Sequence, residues 1–442
     1  MGATFSTSDL GGVFSHVMEH QNREILDIWT DGIDPLLAAY EAHSEDDGGG
    51  RGFITRVEYD TGTSAAPIFA IAQDLAQGTD LGNSALRARW VSQAKKLQVL
   101  AVWDRDSMLA AVKDGPGEAI DIVARERKAK IALARHRLSL FAAEAGWGRI
   151  STVSTISTGA HTFTVPKSEI SRFKIGDHIV FGATEDSGTL RGTGTGTGNW
   201  TGYGKPYIVA GTTPATGTVT LQARSTDKPY DTESVRAGDT VFLAGYRQDT
   251  ANPVQLCPLG LRAWVPAAEP TDTTFEGLDR RNVYQLNGIR MSASGLSTAD
   301  ALIEAAMLGE QYDTQIDSFM VSLADYSLLC RDKERVKVVA MNVGQYEVGF
   351  KGVEVLGGRG SIKVVPSRFL SQGTAWGGPF NSKELGPKLK HNGDLINTDN
   401  ADGNEFLRLA SSDSFEQRMF FRGCMAIPGP GKYVCLTSLP TS

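Results

Sequence analysis

Three side chains near the start of the chain have the spacing of a zinc site. His16, Glu19 and His20 form the pattern H-x-x-E-H, in which two imidazoles on one helix face hold Zn²⁺ and the carboxylate activates a water molecule. A third ligand and a cleft within a folded catalytic domain would also be needed, but this stretch lies in an acidic segment. A polar helix face is the alternative interpretation, and a zinc hydrolase is therefore kept only as a distant alternative function.

A glycine cluster, Gly357-Gly358-Arg359-Gly360, has the composition of a phosphate-binding loop or of a turn. A phosphate loop needs a following helix whose free N–H groups face the anion. Residues 361–366 instead alternate in polarity and are rich in β-branched side chains, which is typical of a strand. The sequence therefore predicts a β-hairpin, with Arg359 at its tip in solvent or at a subunit contact.

Other catalytic patterns are missing from the sequence. It contains no G-x-S-x-G elbow, and Gly204-Lys205-Pro206 departs from a Walker motif at its last residue. The four cysteines are scattered without a C-x-x-C pair, which favours free thiols in a reducing cytosol over a disulfide framework: Cys257, Cys330, Cys424 and Cys435. We therefore predict a protein that is not an enzyme and that uses no cofactor or metal.

Length and charge limit the class of protein. A chain of 442 residues predicts two or three domains. Its net charge of −7 argues against a protein that wraps nucleic acid by its overall field. Residues 1–50 hold ten acidic side chains and one Arg, which is typical of an acidic arm that needs a partner surface. The first thirty residues lack the pattern of a signal peptide, and no apolar run predicts a membrane span.

The first half of the sequence predicts three kinds of element. Residues 51–73 suggest a long hairpin that turns at 60–63, and a lone hairpin needs another surface to be stable. Residues 117–145 predict a long helix with a basic middle. Residues 150–247 alternate short strands with glycine turns, so they predict an inserted small β-barrel or sandwich.

The second half predicts mixed α/β structure. Ser297 and Asp300 form a capping box that opens a helix through Leu308. Residues 318–321 predict a strand, and a short helix follows at 324–329. The last segment predicts two strands joined at 428–431.

Several segments in this half resemble the major capsid proteins of tailed bacteriophages, which have the Hong Kong 97-like α+β fold. The similarity is carried by four stretches: "SFMVSLADYSLL", "VGFKGVEVLGGRGSIKVVPSRF", "GLRAWVP" and "NGIR". They comprise 45 of the 442 residues, about 10% of the chain, and the order of predicted elements extends the resemblance to most of it. These motifs are structural rather than catalytic.

The resemblance implies a division of the chain into the parts of that fold. These are an N-terminal arm (1–50), an extended loop lying over a neighbouring subunit (51–82), a peripheral domain with a spine helix (83–149), the inserted β domain (150–247), a connection back to the peripheral sheet (248–294), an axial domain (295–385) and C-terminal peripheral strands (386–442). It also implies assembly contacts at Arg51, Arg56, Tyr59 and Thr63 of the loop and at Gly357, Gly358, Arg359 and Gly360 of the hairpin tip.

The implied function is a major capsid protein. Pentamers and hexamers would form an icosahedral shell of a virion that encloses double-stranded DNA without sequence specificity, after synthesis and assembly in the host cytoplasm. A separate scaffolding protein, a portal and a decoration protein are the further partners expected, and no membrane is involved. An encapsulin-like cellular nanocompartment, which encloses cargo proteins, is the alternative within the same fold.

Overall fold

The computed structural model describes most of the chain between residues 34 and 440. The described ranges are 34–46, 52–60, 86–104, 116–157, 161–184, 190, 206–222, 235–248, 254–271, 274–331, 337–338, 353–357, 360–391, 407–408 and 414–440. The helices are α1 (Pro35–Glu41), α2 (Pro116–Ala143), α3 (Leu261–Trp264), α4 (Tyr284–Asn287), α5 (Thr298–Gln311) and α6 (Leu323–Arg331), with 3₁₀ turns at Lys167–Arg172 and Pro430–Lys432. None of these helices is long and apolar enough to cross a membrane.

The strands within the described ranges are numbered along the chain. They are β1 (Glu45–Asp46), β2 (Gly52–Asp60), β3 (Leu86–Gln93), β4 (Lys95–Asp104), β5 (Arg149–Thr152), β6 (Thr155–Ser157), β7 (Thr162–Thr164), β8 (His178–Gly182), β9 (Tyr207–Thr213), β10 (Thr218–Leu221), β11 (Thr240–Leu243), β12 (Arg247–Gln248), β13 (Val254–Gln255), β14 (Ile289–Ser292), β15 (Ser318–Ser322), β16 (Lys337–Val338), β17 (Val353–Gly357), β18 (Gly360–Ser367), β19 (Ala375–Gly378), β20 (Lys388–His391), β21 (Leu407–Arg408), β22 (Ser414–Ala426) and β23 (Val434–Thr437).

The chain divides into two compact units. The first comprises Met1–Ile33, Lys96–Leu138 and Gly393–Arg422, and the second comprises Asp34–Lys95, Ser139–Asn392 and Gly423–Ser442. In the first unit, β22 pairs with β4 and β21. Its described core joins Ala101 and Trp103 of β4 to Met419 of β22, with Ile131 of α2 packed against them. The long helix predicted at 117–145 is thereby confirmed as α2, and proline at its first position has a fixed φ that suits a helix start.

A seven-stranded sheet, in the order β14-β23-β19-β15-β18-β17-β16, forms one hydrophobic core of the second unit. The predicted strand at 318–321 and the helix after it are confirmed as β15 and α6. The predicted capping box is also present, because the Ser297 Oγ accepts from the backbone N–H of Asp300 at 3.2 Å, and α5 continues to Gln311. Apolar side chains of α5 and α6 pack on this sheet.

The two C-terminal strands lie in different sheets. The predicted pair is present as β22 and β23, but β23 pairs with β14 and β19 rather than with β22. All but one of its four residues are buried, as expected for a strand inside a sheet that is covered on both faces. The grouping of residues 386–442 as peripheral strands stays a prediction.

The segment predicted as an inserted β domain forms one seven-stranded path in the second unit, in the order β5-β11-β8-β9-β10-β7-β6. The strands at the two ends of this path, β5 and β6, follow each other in the chain with only Val153 and Ser154 between them. The first and the last strand of the sheet therefore belong to one bent segment. Both linking residues continue the pairing, since the Val153 N–H donates to Asp239 O and the Ser154 N–H donates to Thr164 O. This connectivity is compatible with a small barrel, and the barrel itself stays a prediction.

The first strand of the extended hairpin pairs with a strand later in the chain than predicted. Strand β2 pairs antiparallel with β3, with Gly52 opposite Gln93, so the return strand is 86–93 rather than a strand that follows a turn at 60–63. The predicted turn and return strand over 61–73 lie outside the described residues, and the boundary of the loop at residue 82 stays a prediction. Turn-forming residues such as those at 60–63 predict only the conformation of their immediate neighbours. Which strand pairs with β2 depends on the fit along the whole length of both strands.

Part of the predicted N-terminal arm is packed into the second unit. Leu36, Leu37 and Tyr40 of α1 are fully buried, and β1 pairs parallel with β20. Burial raises the pKa of the Tyr40 hydroxyl far above its usual range. Residues 34–46 therefore contribute to a folded core, and the arm role stays a prediction for residues 1–33.

Gly260 allows the backbone before α3 to lie against the end of α2. A Cβ at this position would be 2.1 Å from the carbonyl oxygen of Phe141 and 2.5 Å from that of Ala142. Both contacts are with backbone atoms, which cannot move aside by changing a rotamer. A glycine is therefore required where these two segments meet.

We predict that Gly260→Ala lowers the free energy of unfolding by about 3 kcal/mol, because overpacking against rigid backbone forces the two segments apart. Gly211→Ala is the matched control, since nothing lies within 4 Å of the added methyl group. Urea unfolding of the two variants measures the difference. Equal stability of G260A and G211A would show that the close approach does not constrain the fold.

Candidate functional site

The motif "GLRAWVP" is fixed by two tryptophans. The Trp264 Nε1 donates to the carbonyl oxygens of Leu259 and Met425, both at 3.2 Å, and the Trp376 Nε1 donates to Val265 O at 3.0 Å.

Trp264 also makes edge-to-face contacts with two other rings at 5.2 Å, those of Trp90 and Phe275. Aromatic pairs of this geometry contribute about 1 kcal/mol each beyond the area that they bury.

Two arginines attach the motif "NGIR" to the same segment. The Arg280 Nη1 donates to Ala263 O at 2.6 Å, and its guanidinium lies 3.5 Å from the ring centroid of Phe275. The Arg290 Nε donates to Pro266 O at 3.0 Å, and the Asn287 Nδ2 donates to Arg280 O at 2.8 Å. Two of the motifs that carried the resemblance are therefore parts of one packed junction, where they position backbone rather than a reactive group.

A buried ion network lies next to this junction. The Glu144 carboxylate, just after α2, receives Arg149 of β5 at 3.2 Å, Arg172 at 3.3 Å and Arg262 of α3 at 3.6 Å. Arg172 is fully buried and also pairs with Glu169 at 3.4 Å. One carboxylate thus joins the end of the long helix, the inserted β unit and the "GLRAWVP" segment.

The second carboxylate of the network is held by several donors. Ser151 Oγ donates to Glu169 at 2.5 Å, and the Arg172 Nη1 donates to Ile150 O at 2.7 Å. Burial alone would raise the pKa of Glu169, but Arg172, Arg149 and the hydrogen bond from Ser151 outweigh it and lower that pKa. Glu169 is therefore held in its charged form inside the protein.

Asp34 caps the start of α1, and its carboxylate also accepts hydrogen bonds from a turn at 367–368, more than 300 residues later in the chain. Its carboxylate accepts from the N–H of Leu36 at 3.1 Å, from the hydroxyl of Ser367 at 2.8 Å and from the N–H of Arg368 at 3.2 Å. Burial raises the pKa of Asp34, although these hydrogen bonds and the charge of Arg368 act in the opposite direction. The cap joins the start of α1 to the end of β18.

The assembly contacts predicted on the extended loop fall partly within the described residues. Arg56 lies in β2 opposite Arg89 of β3, and Tyr59 lies where the register shifts between Glu58 and Asp60. Arg51 and Thr63 lie outside the described residues. Their role as contacts stays a prediction.

The glycine cluster is a hairpin, as predicted. Gly357 ends β17 and pairs with Gly360, which begins β18 with a φ of +140°. No helix follows, because β18 continues to Ser367 and pairs parallel with β15. Gly358 and Arg359 lie outside the described residues, and the hairpin's predicted role as an assembly contact is untested.

The zinc alternative cannot be placed on this fold, since His16, Glu19 and His20 lie outside the described residues. Within the part of the chain that the structure describes, no group of three or more His, Cys, Asp or Glu side chains could hold a metal ion. Sequence reasoning missed the Glu144 network. Two pairs within it are close in sequence, Glu144 with Arg149 and Glu169 with Arg172, but no sequence pattern indicates that the two pairs meet or that Arg262 joins them.

We predict that Glu169→Gln lowers the free energy of unfolding by about 3 kcal/mol at pH 7, because it leaves Arg172 buried without one of its partners. A Glu whose folded pKa lies below its unfolded value stabilises the fold above that value and loses the contribution as pH falls. The wild-type chain should therefore lose stability as pH falls below 4.5, the ordinary value for Glu, more steeply than the variant.

Urea unfolding of dissociated subunits at several pH values measures this difference. Glu304→Gln, on the exposed face of α5, is the control that should keep the wild-type pH dependence. The same slope below pH 4.5 in wild type and E169Q would contradict the role given to Glu169.

Comparison with known proteins gives no match from the sequence and several from the fold. No family model matches the chain, and no curated protein matches it. The cyanophage A-1(L) capsid asymmetric unit matches with a TM-score of 0.51 at 7% identity, over 95% of this chain and 96% of that chain.

Two other solved structures have lower scores. The holo-SrpI encapsulin complex of Synechococcus elongatus matches with a TM-score of 0.41 at 9% identity, over 97% of this chain and 96% of that chain. The capsid of phage XM1 matches with a TM-score of 0.41 at 9% identity, over 99% and 100%. The fold assignment rests on the cyanophage capsid alone, and from it the chain has the α+β, Hong Kong 97-like fold of a phage capsid protein.

Proposed function

We propose that this chain is the major capsid protein of a tailed bacteriophage. Copies assemble as pentamers and hexamers into an icosahedral shell that encloses double-stranded DNA. The observation that carries the proposal is the likeness to the cyanophage A-1(L) capsid, which extends over nearly the whole of both chains rather than over one domain. Because that likeness concerns the fold, the function needs its own test.

Features of the described residues favour a protein that buries surface against other copies. Within the described residues, β2 and β3 pair with each other and with no other strand, although Trp90 of β3 packs against Trp264, and a two-stranded hairpin needs a covering surface to be stable in water. On β4, Leu100 is 47% exposed and Val102 is 53% exposed, side by side on the outer face of a strand. Such surfaces are costly in a monomer and are covered in an assembly.

The parts of the fold take roles in this proposal. Helix α2 serves as the spine of the peripheral domain, the β2–β3 hairpin extends over a neighbouring subunit, and the sheet that contains β15 to β19 forms the axial domain. Residues 1–33 act as the arm. The DNA is held non-specifically within the shell, and a scaffolding protein, a portal and a decoration protein are further partners.

We predict that the purified chain forms closed particles containing DNA that nuclease cannot reach. Negative-stain imaging, light scattering and extraction of nucleic acid after nuclease treatment measure this. Closed particles filled with protein cargo would favour the encapsulin-like alternative instead. A persistent monomer that binds zinc stoichiometrically would overturn the capsid proposal and return attention to His16, Glu19 and His20.

We also predict that these particles are not covalently cross-linked. A cross-link from the extended loop would need an amine nucleophile, and no Lys precedes Lys95, while an Arg guanidinium stays protonated and does not attack. Particles boiled in detergent should run as one band near the 47.4 kDa of the full chain. A ladder of multimers would contradict this, and a much smaller band would show cleavage of a built-in scaffold segment.

A further inference from the structure

One face of strand β4, in the first unit, carries exposed apolar side chains. Every second side chain of the strand is buried, as expected for a strand with one face on a core: Leu97, Val99, Ala101 and Trp103. The alternate positions lie on the opposite face, where Leu100 is 47% exposed and Val102 is 53% exposed. Successive outward positions of a strand are neighbours, so these two side chains form one apolar surface.

Phe420 extends this surface onto the paired strand β22. Met419 packs in the core with Ala101, so the side chain that follows it lies on the opposite face of the sheet. The Lys96 Nζ, on the same face of β4 as Leu100, is 4.9 Å from the centroid of the Phe420 ring. The two strands therefore share one outer face that is apolar at its centre.

Positive charge borders the apolar centre. The Arg418 Nε donates to the Glu416 carboxylate at 2.7 Å, so these two charges offset each other. Lys96 and Arg422 are exposed, and within the described part of the chain neither forms an ion pair. The outer face, defined by Lys96, Leu100, Val102, Phe420 and Arg422, is thus complementary to a partner that is both apolar and acidic.

The first 33 residues of the chain have this composition. They contain five acidic side chains and one Arg, a net charge of −4. Within them, acidic and apolar side chains alternate closely over a short stretch: Glu24, Ile25, Leu26, Asp27, Ile28, Trp29 and Asp31. The extended hairpin is the other segment expected to reach a neighbour, but residues 51–93 hold four acidic side chains and four arginines and are neutral. Charge complementarity therefore favours residues 1–33.

We propose that the outer face of β4 and β22 binds residues 1–33 of a second copy of this chain. A single chain leaves Leu100 and Val102 about half exposed, and an apolar surface bordered by cations is stabilised when an acidic, apolar segment covers it. The inference rests on the proposed function, because a shell holds copies side by side and supplies the segment at high local concentration.

The first test mixes two full-length chains, Val102→Cys and Ile25→Cys. Both also carry Cys330→Ser, which removes the native thiol that is exposed. After assembly and oxidation with copper phenanthroline, a non-reducing gel should show a band near twice 47.4 kDa, since the two thiols come from different copies. In the control, Ile175→Cys replaces V102C. Ile175 is 74% exposed, so its thiol is at least as accessible, and it should give no band beyond that of I25C alone.

The second test uses trypsin, because Arg23 is the only Lys or Arg within residues 1–50. Cleavage after Arg23, followed by intact mass, should be at least about tenfold slower in assembled wild type than in dissociated subunits. Leu100→Ser should remove most of this protection, as should high salt, whereas Ile175→Ser, which removes an equally apolar side chain elsewhere, should keep it. Light scattering checks that the particles stay assembled. If L100S does not assemble, the V102C cross-link decides.

The outcomes separate this inference from the proposed function. If wild type forms closed shells and the V102C cross-link does not exceed the I175C control, the docking proposal fails and the capsid function stands. A cross-link that forms only when both cysteines are in one chain shows that the segment covers its own copy, and the second-copy occupant is then wrong. If the V102C thiol is shielded from maleimide only in particles that contain DNA, the face contacts DNA instead. A wild-type chain that stays monomeric at every concentration overturns both.

Discussion

The buried carboxylate of Glu144 is the interaction on which the arrangement of the second unit depends. It comes directly after α2 and meets guanidinium groups from the inserted β unit and from α3. Removing one partner of a buried pair costs about 3–5 kcal/mol, because the remaining charge stays in a medium of low polarizability. The network therefore ties these three segments to one another by charge as well as by packing.

The close approach at Gly260 and the network at Glu144 reinforce each other. Gly260 lets the chain before α3 contact the last carbonyl groups of α2, and this contact brings Arg262 within reach of Glu144. Trp264 and Trp376 then bind the following backbone through their indole N–H groups. Two of the four motifs by which the chain resembles phage capsid proteins, "GLRAWVP" and "NGIR", thus position backbone.

Much of the fold could be predicted from the sequence because its signals are local. The apolar period and flanking glycines of α2, the cap at Ser297 and the Gly357–Gly360 turn all act within a few residues. The extended hairpin was only half predicted, since the partner of β2 is a strand some thirty residues further on. The separation of β22 from β23 was also missed, because the short link between them suggested a hairpin.

The sequence by itself determined the kinds of element, their order, the free cysteines and the acidic character of the first 50 residues. These follow from periodicity, turn chemistry and charge, which need no knowledge of distant contacts. Only the tertiary structure decided which single charges meet. Arg172 reaches Ser371 across 199 positions, and Asp34 reaches Ser367 across 333. Such pairs leave no pattern in one sequence, because the distance between their atoms is set by every element that folds between them.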